Sequence, residues 1–241
     1  MMNTDIRACF TWNGKSSGDF GIYVQKFPAI SRPAKKMQVV QVEGRNGALV
    51  LPQKAWNNVA RTYEVFTGEK TWDAEREFDA IVEWLSADGY QRLEDDFEPD
   101  VFRLAYFTGG VDIQSLFGET GKAKLDFQCK PQKFLKSGEK AITFTSGGTL
   151  RNPTGFEAKP LIVVNGSSSG TVTIGSTTVS ISSIGTSVTL DCENSDAYSG
   201  SNNRNSTITA SSFPVLKPGN NTISFTGGVT SVVITPRFWR L

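Results

Sequence analysis

The stretch Asp73-Ala-Glu-Arg-Glu-Phe-Asp-Ala-Ile-Val-Glu-Trp-Leu-Ser-Ala-Asp-Gly89 is where apolar residues recur at helical spacing for several turns. At about 100° per residue, Ala74, Phe78, Ile81, Val82 and Leu85 share one side, with Trp84 at its rim. Thr71 or Asp73 can cap the start, acidic residues crowd the first turn, and Gly89 can supply a left-handed residue past the end. The spacing predicts a helix over 73–88. Burial of Phe78, Ile81 and Leu85 is worth roughly 1.5–3 kcal/mol each, but only against another apolar surface. The flanking segments, which alternate rather than turn, must supply it.

Those segments read as strands. Ala8–Trp12 alternates and meets Asn13-Gly14, a dipeptide favoured in tight hairpin turns, with Gly21–Gln25 as the returning or next strand. Met37–Arg45 runs into Asn46-Gly47 before Ala48–Leu51, a second hairpin. Strands follow at Arg61–Phe66, Tyr90–Leu93, Val101–Phe107 and Ala123–Cys129. The pattern is a sheet with one helix laid on it.

Near Lys130-Pro131 the composition changes. Residues 1–136 hold 37 of the 49 charged side chains and 137–241 only 12, with Ser, Thr, Gly and Asn dominating the second part. Two domains follow, 1–134 and 135–241. The second offers strands at Ala141–Thr145, Pro160–Val164, Thr171–Ile174, Thr178–Ile181, Ser187–Asp191, Ser206–Ala210, Asn221–Phe225 and Ser231–Thr235. Short strands at regular spacing predict an antiparallel β-sandwich, with Ser167–Gly170 and Ser199–Asn205 as loop tips. The fold class is mainly β, in two domains.

Composition narrows function. A net charge of +1 with mixed signs gives no electrostatic drive toward nucleic acid or an anionic membrane. No apolar run approaches membrane-spanning length, and the polar start Met1–Arg7 lacks a hydrophobic signal core, so cytoplasmic synthesis and no membrane insertion are expected. Cys9, Cys129 and Cys192, odd in number and far apart, suggest no disulfide framework. Histidine is absent, which removes Ser-His-Asp and Cys-His catalysis and the His-bearing zinc sites. No cofactor, metal or catalytic constellation is indicated.

Each candidate site has a plainer reading beside it. The run Glu94-Asp-Asp-Phe-Glu-Pro-Asp100 could bind calcium or use Asp95, Asp96 or Glu98 in hydrolysis, yet it reads better as a solvated turn. Glu75, Asp79 and Glu83 against Arg76 read as an ordinary solvated helix face. Gly166, Gly170 and Gly175 do not open a helix, so they make no phosphate cradle. Trp239, beside Phe238, is the one tryptophan of the second part and the candidate for stacking a sugar ring, which would make the sandwich a carbohydrate-binding module for host attachment. Trp12, Trp56, Trp72 and Trp84 are better read as core or protein interface.

Several stretches together resemble one family. Phe10-Thr-Trp-Asn-Gly-Lys-Ser-Ser17 with Asp19-Phe-Gly-Ile22, Gly44-Arg45-Asn46-Gly47, Phe127-Gln-Cys-Lys-Pro131, Asp191-Cys-Glu193, Phe213-Pro-Val-Leu-Lys-Pro218-Gly219-Asn220 and Pro236-Arg237 resemble, in order and spacing, the distal tail proteins of phages with long non-contractile tails. The sequence departs from that pattern at Gln132, where relatives often carry an aromatic. The resemblance implies a structural virion protein rather than an enzyme. Its first domain would form a tail-tube-like homo-hexameric ring, single or paired, through which DNA passes without specific binding. Its galectin-like second domain would project outward. The implied neighbours are the tail tube protein and a tip, fibre or receptor-binding protein, and the implied location is the virion tail tip.

Overall fold

The computed structural model describes residues 7–67, 74–109 and 122–241, with the side chains of its helix described from Asp79 onward. The protein is mainly β and divides into two compact units, one of residues up to 133 together with Leu241, the other Phe134–Arg240.

In the first unit β1 (Phe10–Trp12) turns through Asn13 and Gly14, both left-handed at φ 49° and 77°, into the two-residue β2 (Lys15–Ser16). Only Asn and Gly accept that conformation readily, which places this turn. A short 3-10 turn follows. It is capped reciprocally by Ser16 and Asp19 and released by left-handed Gly21 into β3 (Ile22–Val24). Next come β4 (Lys35–Val40), β5 (Leu49–Trp56), β6 (Val59–Thr67), helix α1 (Ala74–Leu85), β7 (Gln91–Asp95), β8 (Val101–Phe107) and β9 (Lys122–Cys129). An antiparallel sheet runs in the order β2-β1-β7-β8-β9-β6-β3, and β4 and β5 pair with each other in a separate two-stranded sheet.

The helix lies against this sheet through Ile81, Trp84 and Leu85, all buried with Phe10, Trp12, Tyr63, Leu125 and Phe127. Trp84 is central rather than at the rim. Its indole stacks on Phe20 at 4.5 Å and Phe10 at 5.6 Å, and its Nε1–H donates to the Trp12 carbonyl at 2.8 Å. That anchor turns the helix so that Val82, expected inside, is exposed. The helix ends at Leu85, earlier than expected, and left-handed Gly89 serves the turn into β7 instead. The expected caps Thr71 and Asp73, and Trp72, lie outside the described residues.

After β10 (Lys133–Leu135), which starts at the last residue before the boundary, the second unit contains β11 (Ile142–Phe144), β12 (Gly148–Asn152), β13 (Leu161–Ile174), β14 (Thr177–Ile181), β15 (Ser187–Asp191), β16 (Asp196–Ser199), β17 (Asn202–Asn203), β18 (Ile208–Thr209), β19 (Gly219–Thr235) and β20 (Trp239–Arg240). Four of the expected strands are in fact two. Pro160–Val164 and Thr171–Ile174 are one strand, β13, and Asn221–Phe225 and Ser231–Thr235 are one strand, β19. Ser167–Gly170 is thus not a loop tip. It is the bulged middle of β13, with register shifts against β19 at Asn165, Gly166 and Gly170.

The bulge explains the sandwich. The first half of β13 pairs with β15 and the end of β19, and its second half with β14 and the start of β19. Ile162, Val164, Val188 and Ile234 on one side of the bulge share a core with Val172, Ile174, Val179 and Ile223 on the other, so the paired strands fold the sheet over on itself. Glycine permits the fold. A Cβ on Gly166 would sit 2.3 Å from the Gly228 carbonyl oxygen, and one on Gly227, left-handed at φ 72°, 2.8 Å from the Ser169 carbonyl oxygen. The second expected loop tip, Ser199–Asn205, is a tight turn at Gly200 between β16 and β17.

Gly166→Ala is therefore expected to destabilise the second unit by about 1–3 kcal/mol, the range for forcing atoms into a packed site. Gly155→Ala, where an added Cβ meets open space and φ is ordinary, should change stability little. Denaturant melts of both variants check this, and equal midpoints would contradict the close approach at Gly166.

Candidate functional site

Among the described residues, no element covers either face of the β4–β5 hairpin. Directly opposed residues of an antiparallel pair share a face. The register Met37↔Pro52 and Val39↔Val50 puts one apolar row on one face, and Val40↔Leu49 with Gln38↔Leu51 puts a second on the other. Met37 and Val39 are each 59% exposed and Val50 49%, with Leu49, Leu51 and Val42 exposed as well. Elsewhere in the first unit Phe27 and Ile30 are also exposed, Phe27 meeting Phe97 edge-on at 4.9 Å. A two-stranded hairpin is marginal on its own, and contiguous exposed apolar surface marks an interaction site.

The tip of this arm departs from the expected two-residue turn. Eight residues, 41–48, connect the strands, and Arg45 N–H donates to the Val42 carbonyl at 3.2 Å across left-handed Gly44. Gly47 is left-handed at φ 81° but Asn46 is not, so the pair does not form a type I′ turn. The register is instead closed by the Val40↔Leu49 pair below the loop. Gly44, Arg45, Asn46 and Gly47 all stand exposed at the tip.

The acidic run is not a solvated turn throughout. Asp95 ends β7 inside the sheet, where Arg61 Nη2 donates to its carboxylate at 2.6 Å and Tyr63 Oη–H at 2.8 Å, and the amides of Phe97 and Glu98 donate to its other oxygen. Arg103 lies 3.9 Å from Asp95 and pairs with Glu98, which also meets Lys133 at 3.4 Å. Burial alone would push the Asp95 carboxyl up, but Arg61, Tyr63 and Arg103 outweigh it and hold it below the usual carboxylate range. The Glu98 carboxyl is likewise lowered, burial being overcome by Arg103 and Lys133. Asp96 accepts from the Cys9 amide at 2.7 Å. The network ties β6, β7 and β8 together, and its carboxylates are engaged as acceptors rather than poised as proton donors. Among the described residues, no group of three Cys, Asp or Glu is placed to hold a metal.

The other residues singled out by sequence are spread over both units. Asn13 and Gly14 form the exposed first turn, and Pro131 follows β9. Asp191 ends β15 and accepts from Arg237 at 2.6 Å, joining two motif fragments. Burial would raise its carboxyl, and Arg237 with the Glu193 amide and Asn194 brings it below the usual range. Burial pushes the Cys129 thiol to about 11 and the Cys192 thiol, beside Asp191, to about 12, so neither is a ready nucleophile. Pro218 leads into β19, which Gly219 begins, with Asn220 exposed in its pair with Arg151.

Sequence pattern does not single out the residue that holds that corner. Buried Asn221 donates to the Lys217 and Gly219 carbonyls at 2.8 and 3.1 Å and accepts from the Lys217 amide at 2.9 Å. Asn152 does the same for Phe156, Leu216 and Thr154. Trp239 stacks on Phe156 at 4.5 Å and donates to the Glu157 carbonyl at 2.9 Å, so one ring face and its N–H are already occupied. Of the exposed acidic helix face, Asp79 and Glu83 are described, and both are open to solvent.

No protein-family model matches this protein, and no curated protein matches it in sequence. Its fold is similar to the crystal structure of the Dit protein of phage SPP1, described as a paradigm of the hub adsorption apparatus in phages infecting Gram-positive bacteria. The TM-score is 0.73 at 14% identity, over 97% of this chain and 99% of that one. At that identity the likeness establishes a shared fold.

Asp95→Asn is expected to cost about 3–5 kcal/mol, the range for leaving a buried partner charge uncompensated. Because the Asp95 and Glu98 carboxyls are lowered in the folded protein, their contribution is present above about pH 4 and is lost as pH falls through the folded values. Melting temperature should therefore drop on acidification in the wild type and drop less in Asp95→Asn. Parallel pH curves for the two would contradict the assignment.

Proposed function

We propose that this protein is a distal tail hub protein: a structural virion component that forms a ring joining a long non-contractile tail tube to the tip apparatus. The observation that carries the reading is that both units, over nearly the whole length, take the fold of SPP1 Dit. The collinear motifs from Phe10 to Arg237 support it independently.

The first unit is the ring-forming part in this reading. Its β4–β5 arm, apolar on both faces, supplies contact surface to a second copy of the protein. One patch meeting a different one generates a closed ring when the rotation closes, here a homo-hexamer with a central passage for DNA. The galectin-like second unit faces outward toward a fibre or receptor-binding partner. A carbohydrate role for Trp239 ranks lower, since Phe156 already takes one face of its ring.

Two measurements test this. Gold-labelled antibody against the protein should mark the end of the tail away from the capsid, and labelling along the tube or at the head would contradict the hub assignment. Val39→Asp combined with Val50→Asp should reduce the assembled mass to single copies in light scattering. The melting of the subunit should stay close to wild type, because neither side chain packs in the core. An assembly unaffected by the double substitution would remove the arm from the interface.

A further inference from the structure

Three Asn-Gly dipeptides occur in the sequence, Asn13-Gly14, Asn46-Gly47 and Asn165-Gly166. Each has the composition for spontaneous deamidation, because glycine leaves the following backbone nitrogen unhindered. They sit in different surroundings. We propose that Asn46 is a site of spontaneous deamidation at the tip of the β4–β5 arm and that the fold shields the other two. This inference does not rest on the hub reading.

In the reaction the Gly47 backbone nitrogen loses its proton to base and attacks Asn46 Cγ. The new N–Cγ bond forms, the Cγ–Nδ2 bond breaks, and ammonia leaves. Water then opens the cyclic imide at either carbonyl to give aspartate or isoaspartate. One water is consumed and one ammonia released, with no change of oxidation state. The steps need an exposed asparagine, an amide free of hydrogen bonds, and backbone able to rotate.

Asn46-Gly47 meets all three. Both residues are exposed in the eight-residue connection, between the Val40↔Leu49 pair and the Val42–Arg45 turn. Among the described residues no hydrogen bond engages the Gly47 N–H, and nothing lies within 4 Å of the place a Cβ would take. Asn13-Gly14 is exposed but clamped. The Trp12↔Lys15 and Thr11↔Ser16 pairs flank it, and the Asn13 amide donates to the Arg92 carbonyl at 3.0 Å, so ring closure requires opening the hairpin. At Asn165-Gly166 the attacking nitrogen is itself engaged, donating to the Thr186 carbonyl at 3.2 Å, and Asn165 Nδ2 donates to Ser231 at 3.0 Å. Losing one such backbone bond before reaction slows it by about ten-fold.

The product places a new carboxylate at the tip of the arm, in the same exposed connection that carries Glu43. The test is peptide mapping by mass spectrometry of the purified full-length protein, aged in mildly alkaline buffer and sampled over time. Conversion at Asn46 is expected to exceed that at Asn13 and at Asn165 by about ten-fold or more. Asn46→Gln should abolish the leading signal, since a glutamine closes its ring far more slowly. In denaturing urea the three sites should converge. Equal rates in the folded protein, or the same ranking persisting in urea, would overturn the proposal.

Discussion

The second unit depends on a place where two backbones come closer than side chains allow. Gly166 and Gly228 meet at a distance that a Cβ would close to 2.3 Å, and Gly227 turns there in a conformation that side chains resist. That approach lets β13 and β19 stay paired along their length while the sheet folds over. Without it, the apolar rows on the two sides of the bulge would lie on one flat surface open to water. The glycines of the Ser-rich stretch are thus structural parts of a bulge, and the polar residues between them need no loop to explain them.

The first unit is organised by aromatic packing instead. Trp84 docks between Phe10 and Phe20 and reaches the Trp12 carbonyl, which ties the helix to β1 and to the core below. Asp95 joins β6 to β7 from within the same unit. With the helix and the ion network both committed to the sheet, the β4–β5 arm receives no cover from either. Its exposed apolar rows are the consequence, and they are the chemical argument for an interaction surface.

Much of this is legible in residue order. Apolar spacing predicts a helix over 73–88 and the helix spans Ala74–Leu85, while the two-residue turn geometry at Asn13-Gly14 follows from residue type. Elsewhere local pattern stops short. Ser167–Gly170 has loop composition, and only pairing to β19 shows it to be a bulged strand. Asp95 resembles its acidic neighbours until Arg61, 34 residues away, is placed against it. The alternation of β4 and β5 predicts a hairpin, but alternation does not say whether a face is covered, so the arm's exposure is not visible in it. Asn221 is hidden beside Asn220 because inward and outward positions of a strand differ by one residue in register.

The proposed hub role requires copies of this protein to close into a ring. Electron microscopy of the purified protein tests it most directly. Class averages should show six-fold rings, single or paired, with an open centre wide enough for duplex DNA. Particles of one copy throughout, with no ring at any concentration or in the presence of tail tubes, would contradict it.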